Sequence, residues 1–138
     1  MRKSDSVAMV AEFYQCHKRL WSLAAKEWRR SWITSTLTRK RRSAIARYLA
    51  AHAVKKLHLG AGDNSIPAWL NSDAEPPNDE IILLDVTRPF PFSDESFNYI
   101  FTEHLIEHIP YRDALFMLKE CFRILAPGGK IRIATPDL

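Results

Sequence analysis

The sequence predicts an α/β protein built on an open, mostly parallel sheet, and three observations predict it. The first is the stretch Val54-Lys55-Lys56-Leu57-His58-Leu59-Gly60-Ala61-Gly62-Asp63-Asn64. A short apolar run halted by a glycine turn is how a doubly covered parallel strand reads. The second is a series of later apolar runs that each stop at an acidic residue: Trp69 to Ser72 at Asp73, Ile81 to Leu84 at Asp85, and Phe97 to Thr102 at Glu103. The third is a helical stretch from Tyr111 to Leu125, broken by Pro127-Gly128-Gly129 and followed by an alternating run from Lys130 to Thr135.

A chain of 138 residues has room for one domain with a sizeable core. Its 46% hydrophobic and 26% charged residues are ordinary for a soluble globular protein. No run is long enough to span a bilayer. Val7 to Val10 is apolar, but Glu12 interrupts it and no cleavage-like site follows, so no signal peptide is expected. Cys16 and Cys121 lie far apart and lack metal-ligand spacing, which fits reduced thiols in a cytoplasmic protein.

Charge is unevenly placed. Residues 1–56 hold 14 Lys/Arg against 3 Asp/Glu, whereas residues 57–138 hold 6 against 13. A basic N-terminal helical arm, residues 1–53, is therefore expected to precede an acidic body over residues 54–138.

In the arm, Val7, Val10, Tyr14, Trp21, Trp28 and Trp32 fall near one helical stripe, with Lys18, Arg19, Lys26, Arg29 and Arg30 mostly off it. Such a helix packs its tryptophans on the body or on a partner. Alternatively it lies on an anionic membrane or grips an anionic ligand. Thr38-Arg39-Lys40-Arg41-Arg42 could contact phosphate groups, nucleic acid included, but has no stacking aromatics within it and equally suits a solvated face. Ser43 can cap a helix from Ala44 to Ala53.

The body continues with little room between the glycine turn and Trp69 for a full crossover helix, so a short second strand is expected at Trp69 to Ser72. Glu75-Pro76-Pro77-Asn78-Asp79 is a loop. Arg88-Pro89-Phe90-Pro91-Phe92 is extended, because each proline disfavours helix in the residue before it. Pro110 opens the helix that follows, with Leu115, Leu118, Phe122 and Leu125 expected as its buried stripe and Asp113 and Arg123 suited to its dipole ends.

Strand ends of this composition suit a nucleotide-like ligand. Ligands of open parallel sheets bind outside the carboxyl ends of the strands, where strand order reverses. Gly60 and Gly62 permit positive φ and close backbone approach. A carboxylate after the second strand can accept both hydroxyls of a ribose, and one after the third can accept from an adenine amine.

Taken in order, Leu57-His58-Leu59-Gly60-Ala61-Gly62, Trp69-Leu70-Asn71-Ser72-Asp73, Leu84-Asp85-Val86, Pro91-Phe92-Ser93-Asp94-Glu95-Ser96-Phe97, Glu103-His104-Leu105-Ile106-Glu107-His108 and Leu125-Ala126-Pro127-Gly128-Gly129 resemble class I S-adenosylmethionine-dependent methyltransferases. The resemblance covers about residues 54–138, in the branch that joins the first two strands by a short connection. It implies a Rossmann-like sheet of order 3-2-1-4-5 with helices on its faces, and S-adenosyl-L-methionine as cofactor. Gly60, Ala61 and Gly62 would line the methionine end, and Asp73 would hold the ribose. Asp85 and the backbone of Val86 would face the adenine, while Glu103 and His104 would close the site beside the sulfonium. The missing Gly-x-Gly-x-x-Gly argues against a dehydrogenase.

Methyl transfer from a sulfonium needs mainly alignment, with a base only for a hydroxyl or protonated amine acceptor. His104 is the first candidate base and His108 the second. The acceptor is expected to be O or N of a small molecule or saccharide-type substrate. His104-Leu105-Ile106-Glu107-His108 also fits the His-x-x-Glu-His pattern of inverzincins. Zinc binding through it needs a helix across all five residues, which the preceding strand and Pro110 disfavour, so no metal is expected. The family's sheet has seven strands and five are expected here, which would leave the fifth as an edge for a second copy or partner chain to cover. The alternative is a non-catalytic interaction protein whose basic arm docks on a partner, a membrane or nucleic acid.

Overall fold

In the computed structural model, residues 39–136 are described, and the helix expected at residues 7–32 lies outside them. The first described element is helix α1, residues 39–51, so the helix starts before the expected Ala44, takes in Arg39 to Arg42, and has Ser43 inside it rather than as its cap. Lys40 reaches Asp79 at 3.2 Å across an exposed surface, while an Arg41 guanidinium nitrogen donates to the Leu83 carbonyl at 3.3 Å. On its inner face α1 contributes Ile45 and Tyr48 to the hydrophobic core. The Tyr48 hydroxyl accepts from Lys56 N–H at 2.9 Å and lies 3.2 Å from the Ala68 carbonyl, tying the helix to the chain entering the sheet.

Five parallel strands follow: β1 Lys56–Leu59, β2 Leu70–Asp73, β3 Ile82–Leu83, β4 Phe97–Glu103 and β5 Leu125–Ala134. Their order is β3-β2-β1-β4-β5, the Rossmann-like order expected from the resemblance. Leu57 pairs with Leu70 on one side and Ile100 on the other, so β1 is the central strand and is buried on both flanks. The uninterrupted apolar character of such strands follows from this burial.

The short β1–β2 connection is held by a polar pair inside the sheet. Asn71 donates through Nδ2 to the carbonyls of Ile66 and Trp69, at 3.1 and 3.2 Å, and its Oδ1 accepts from Ile66 N–H at 2.9 Å. With Nδ2 so committed, the buried His58, whose Nδ1 lies 3.2 Å from Asn71 Oδ1, must be the donor there. Burial also holds the His58 pKa below its ordinary value. Backbone groups that a crossover helix would satisfy internally are satisfied here by one amide side chain.

Between β3 and β4 the two prolines keep the chain extended while Phe90 and Phe92 turn into the core. Phe92 packs edge-on against Phe97 at 4.9 Å. Arg123 clamps this segment: it pairs bidentately with Glu120 at 2.8 and 2.7 Å and donates to the carbonyls of Phe90 and Phe92. Glu120 in turn accepts from Phe90 N–H at 2.7 Å.

Helix α2, Tyr111–Ile124, has Pro110 as N-cap, Asp113 in its first turn and Arg123 in its last. Its buried residues are Ala114, Met117, Cys121 and Ile124 rather than the expected stripe. Leu118 and Leu125 pack partly on the core, but Leu115 is 42% exposed and Phe122 83% exposed. The phase is set at the helix end, where Leu125 is both C-cap and the first residue of β5, paired with Phe97. Burial of Cys121 pushes its thiol up to about 12, which leaves it unreactive. Pro127-Gly128-Gly129 does not precede β5, as expected, but forms a bulge inside it between the Phe97–Leu125 and Tyr99–Lys130 pairs. Gly129 is obligatory there, since a Cβ would sit 2.8 Å from the Ala126 carbonyl oxygen. Among the described residues, no helix is long and apolar enough to cross a membrane.

Candidate functional site

Because the sheet is parallel, the carboxyl ends of β3, β2, β1 and β4 lie along one rim, and strand order reverses beside β1. The residues singled out from the sequence sit on that rim. Gly60 follows the last residue of β1 with φ of +70°, and the side chain of Leu105 closes over it at 3.2 Å from where a Cβ would stand. Ala61 is buried, its N–H donating to the Ser72 carbonyl at 2.9 Å, which extends the β1–β2 ladder into the turn. Gly62 has φ of +49° and open space where a side chain would project.

Asp73 is tied to this turn directly. Its Oδ2 accepts from Gly62 N–H at 2.8 Å, and its Oδ1 from Glu75 N–H at 2.8 Å. A carboxylate has about four acceptor sites. Two are used in fixing its orientation, and two remain for a pair of vicinal hydroxyls. The Asp73 carbonyl accepts from Leu84 N–H at 2.8 Å, which sets Asp85 next along the rim.

Asp85 is held differently. Its Oδ1 accepts from the hydroxyl and N–H of Thr87, at 2.7 and 2.9 Å, and Arg88 lies 3.8 Å from its Oδ2. The Thr87 hydroxyl is the main reason that its carboxyl stays below the ordinary range. Oδ2 makes no hydrogen bond and has only the exposed Arg88 ion pair. The side chain of Val86 is buried in the core, so only its backbone is available to a ligand.

On the other side of β1, Leu59 pairs with Thr102, which brings Glu103 level with Gly60. His104 follows with φ of +51°, a left-handed conformation unusual for a non-glycine residue, and its N–H donates to the Ala134 carbonyl at 3.0 Å. Its Nδ1 lies 3.3 Å from Glu107 Oε1. His108 bonds through its backbone to the Leu105 carbonyl, in a one-turn 3-10 helix over Ile106–His108. Since His104 lies outside that turn in a left-handed conformation, the five residues of the His-x-x-Glu-His pattern do not share a helix face.

Sequence reasoning missed Thr87, Leu105 and the Glu107 partnership. Asp85-Val86-Thr87 carried a local signal, since an Asp followed two residues on by a donor is a turn signature. The other two depend on how the segment after β4 folds back. Two further hollows lie elsewhere among the described residues. One, of about 430 Å³, crosses the sheet face beside Trp69, Phe101 and Arg132, and the other, of about 500 Å³, lies at the β5 bulge. Neither takes in the acidic tips, so the site rests on the bonding along the rim.

The reversal point of this open parallel sheet, ringed by a glycine turn and acidic tips, is where sheets of this class bind their ligands. A family model described as "Methyltransferase domain" matches residues 42–133. The chain belongs to this family, in the class I S-adenosylmethionine-dependent group. Comparison with curated proteins found no match. Among solved structures, it is similar to the PH0226 protein from Pyrococcus horikoshii (19% identity, 70% of this chain and 57% of that one, TM-score 0.49). It is also similar to a candidate S-adenosylmethionine-dependent methyltransferase from Methanococcus maripaludis (18% identity, 75% and 59%, TM-score 0.45). A third is a chain of the Haloferax volcanii complex between the Trm112 methyltransferase activator and a candidate methyltransferase (20% identity, 72% and 54%, TM-score 0.43). The chain thus spans between 54% and 59% of the length of these three structures.

Proposed function

We propose that the chain binds S-adenosyl-L-methionine along the strand-tip rim and transfers its methyl group to O or N of a small-molecule or saccharide-type acceptor. The single observation that carries this reading is the bond from Gly62 N–H to Asp73, which couples the glycine turn to a carboxylate with two spare acceptor sites. Gly60, Ala61 and Gly62 would flank the methionine end, Asp73 the ribose, and Asp85 with the Val86 backbone the adenine. Glu103 and His104 would stand beside the reacting centre. The residues present fit the group, because the space beside Gly62 is open and Asp85 Oδ2 makes no hydrogen bond, only a 3.8 Å ion pair with Arg88.

Bound there, the cofactor supplies a methyl carbon already activated by the sulfonium. The protein's task is then to align the acceptor and, for a hydroxyl or protonated amine, to take up a proton. Among the described residues β5 has no strand on its far side. A second copy or a partner chain pairing there would cover that edge. The basic N-terminal segment would dock on an anionic surface, and the protein would act in the cytoplasm. Calorimetry with S-adenosylmethionine and S-adenosylhomocysteine tests the reading. Saturable binding that D73A abolishes supports it, and absence of binding at high micromolar ligand overturns it in favour of a non-catalytic interaction protein.

A further inference from the structure

The segment after β4 brings together a histidine, a carboxylate and a constrained backbone. His104 is kept in the left-handed region, and its N–H is spent on the Ala134 carbonyl, so the residue is fixed from β5 as well as from its own strand. Non-glycine residues in this region are strained and persist where the surroundings over-determine them, often at functional sites. Three residues on, Glu107 places Oε1 at 3.3 Å from His104 Nδ1. Its own backbone N–H, and after it the His104 side chain, hold the Glu107 carboxyl below the ordinary range. Among the described residues, Glu103 immediately precedes His104 in the chain and His108 lies on the same turn as Glu107.

From this geometry we infer that Glu107 is a positioning residue, which accepts the Nδ1 proton of His104 and so leaves Nε2 bare as the proton acceptor at the rim. An imidazole with Nδ1–H fixed on a carboxylate has its lone pair on the opposite nitrogen. When a hydroxyl or protonated amine acceptor gives up its proton, the proton passes to Nε2, the Nδ1 proton stays on the ring, and Glu107 faces the resulting imidazolium. The carboxylate balances that charge without taking a proton itself. This inference rests on the proposed reading for its role, but the tautomer does not depend on any ligand.

The test is long-range nitrogen–proton correlation NMR on the full chain labelled with ¹⁵N-histidine, at a pH where imidazole is neutral. The chain has five histidines, and H104N identifies the signal of interest. The expected result is the Nδ1–H form in the wild type with and without S-adenosylhomocysteine, retained in E107Q, whose amide oxygen still accepts, and lost in E107A. A wild-type His104 protonated at Nε2 overturns the inference, as does an E107A spectrum identical to wild type. Should E107A fail to fold, the wild-type tautomer alone decides. Calorimetry on the same samples separates the two readings. S-adenosylhomocysteine that fails to bind sinks the cofactor assignment whatever the tautomer, whereas binding with an Nε2–H ring sinks only the role of Glu107.

Discussion

Asp73 and Asp85 look alike in sequence, each closing an aliphatic strand, yet the structure treats them differently. Asp73 spends its oxygens on N–H groups of the glycine turn and of its own loop, so it braces one strand end against another. Asp85 spends one oxygen on Thr87, two residues away, and braces only itself. A carboxylate that bonds across strands is part of the architecture, while one that bonds locally can be removed with little effect on the strands around it.

That contrast can be broken most forcefully at Asp73. D73A removes two bonds to a charged acceptor, both at exposed positions where water makes up part of the loss. We expect S-adenosylhomocysteine affinity to fall at least about 100-fold by calorimetry, with a loss of about 1–2 kcal/mol in urea-denaturation stability as two backbone donors go unpaired. The glycines come next. G60A combines left-handed strain of about 1–2 kcal/mol with contact against Leu105, and should lower the thermal midpoint by several degrees. G62A meets only the strain, so its stability loss is expected to be smaller, but its methyl projects into the open space beside Asp73 and should weaken cofactor binding more than G60A does per unit of stability lost. On the Asp85 side, R123A frees the Phe90–Phe92 segment and should cost about 2 kcal/mol, while D85A itself should weaken binding by roughly tenfold or less and leave the denaturation midpoint almost unchanged.

The smallest effects are those of pH. Glu120 is held below its ordinary value near 4.5, mainly by Arg123, so its contribution is complete above that value and lost as pH falls through its native pKa. His58 is held below 6.5 by burial. The unfolded state binds its proton first, so stability declines as pH drops below about 6.5, and H58Q should flatten that part of a urea-midpoint profile.

The strands and their acidic ends could be read from the sequence because burial of a central parallel strand leaves a continuous aliphatic run, and because function needs charge where that run stops. Helix α2 could not be phased in this way. Two apolar stripes compete on it, and Leu115 and Phe122 outweigh Ala114 and Cys121 by size alone. The burial of the smaller pair follows from where Leu125 must enter the sheet, a long-range constraint that no helical window contains. The bulge at Gly128 and Gly129 was hidden for a related reason, since Pro-Gly-Gly reads as a break and only the pairing with β4 shows that the strand runs through it. At the rim, the same limit concealed Leu105 and Glu107, whose partners are set by how the turn after β4 closes.

Leu125 belongs at once to the end of α2 and the start of β5, with no connecting loop between them. At the other end of that strand, the Ala134 carbonyl carries the backbone of His104. The end of the helix and the backbone of the histidine are therefore both fixed by the same strand, one before its bulge and one after it.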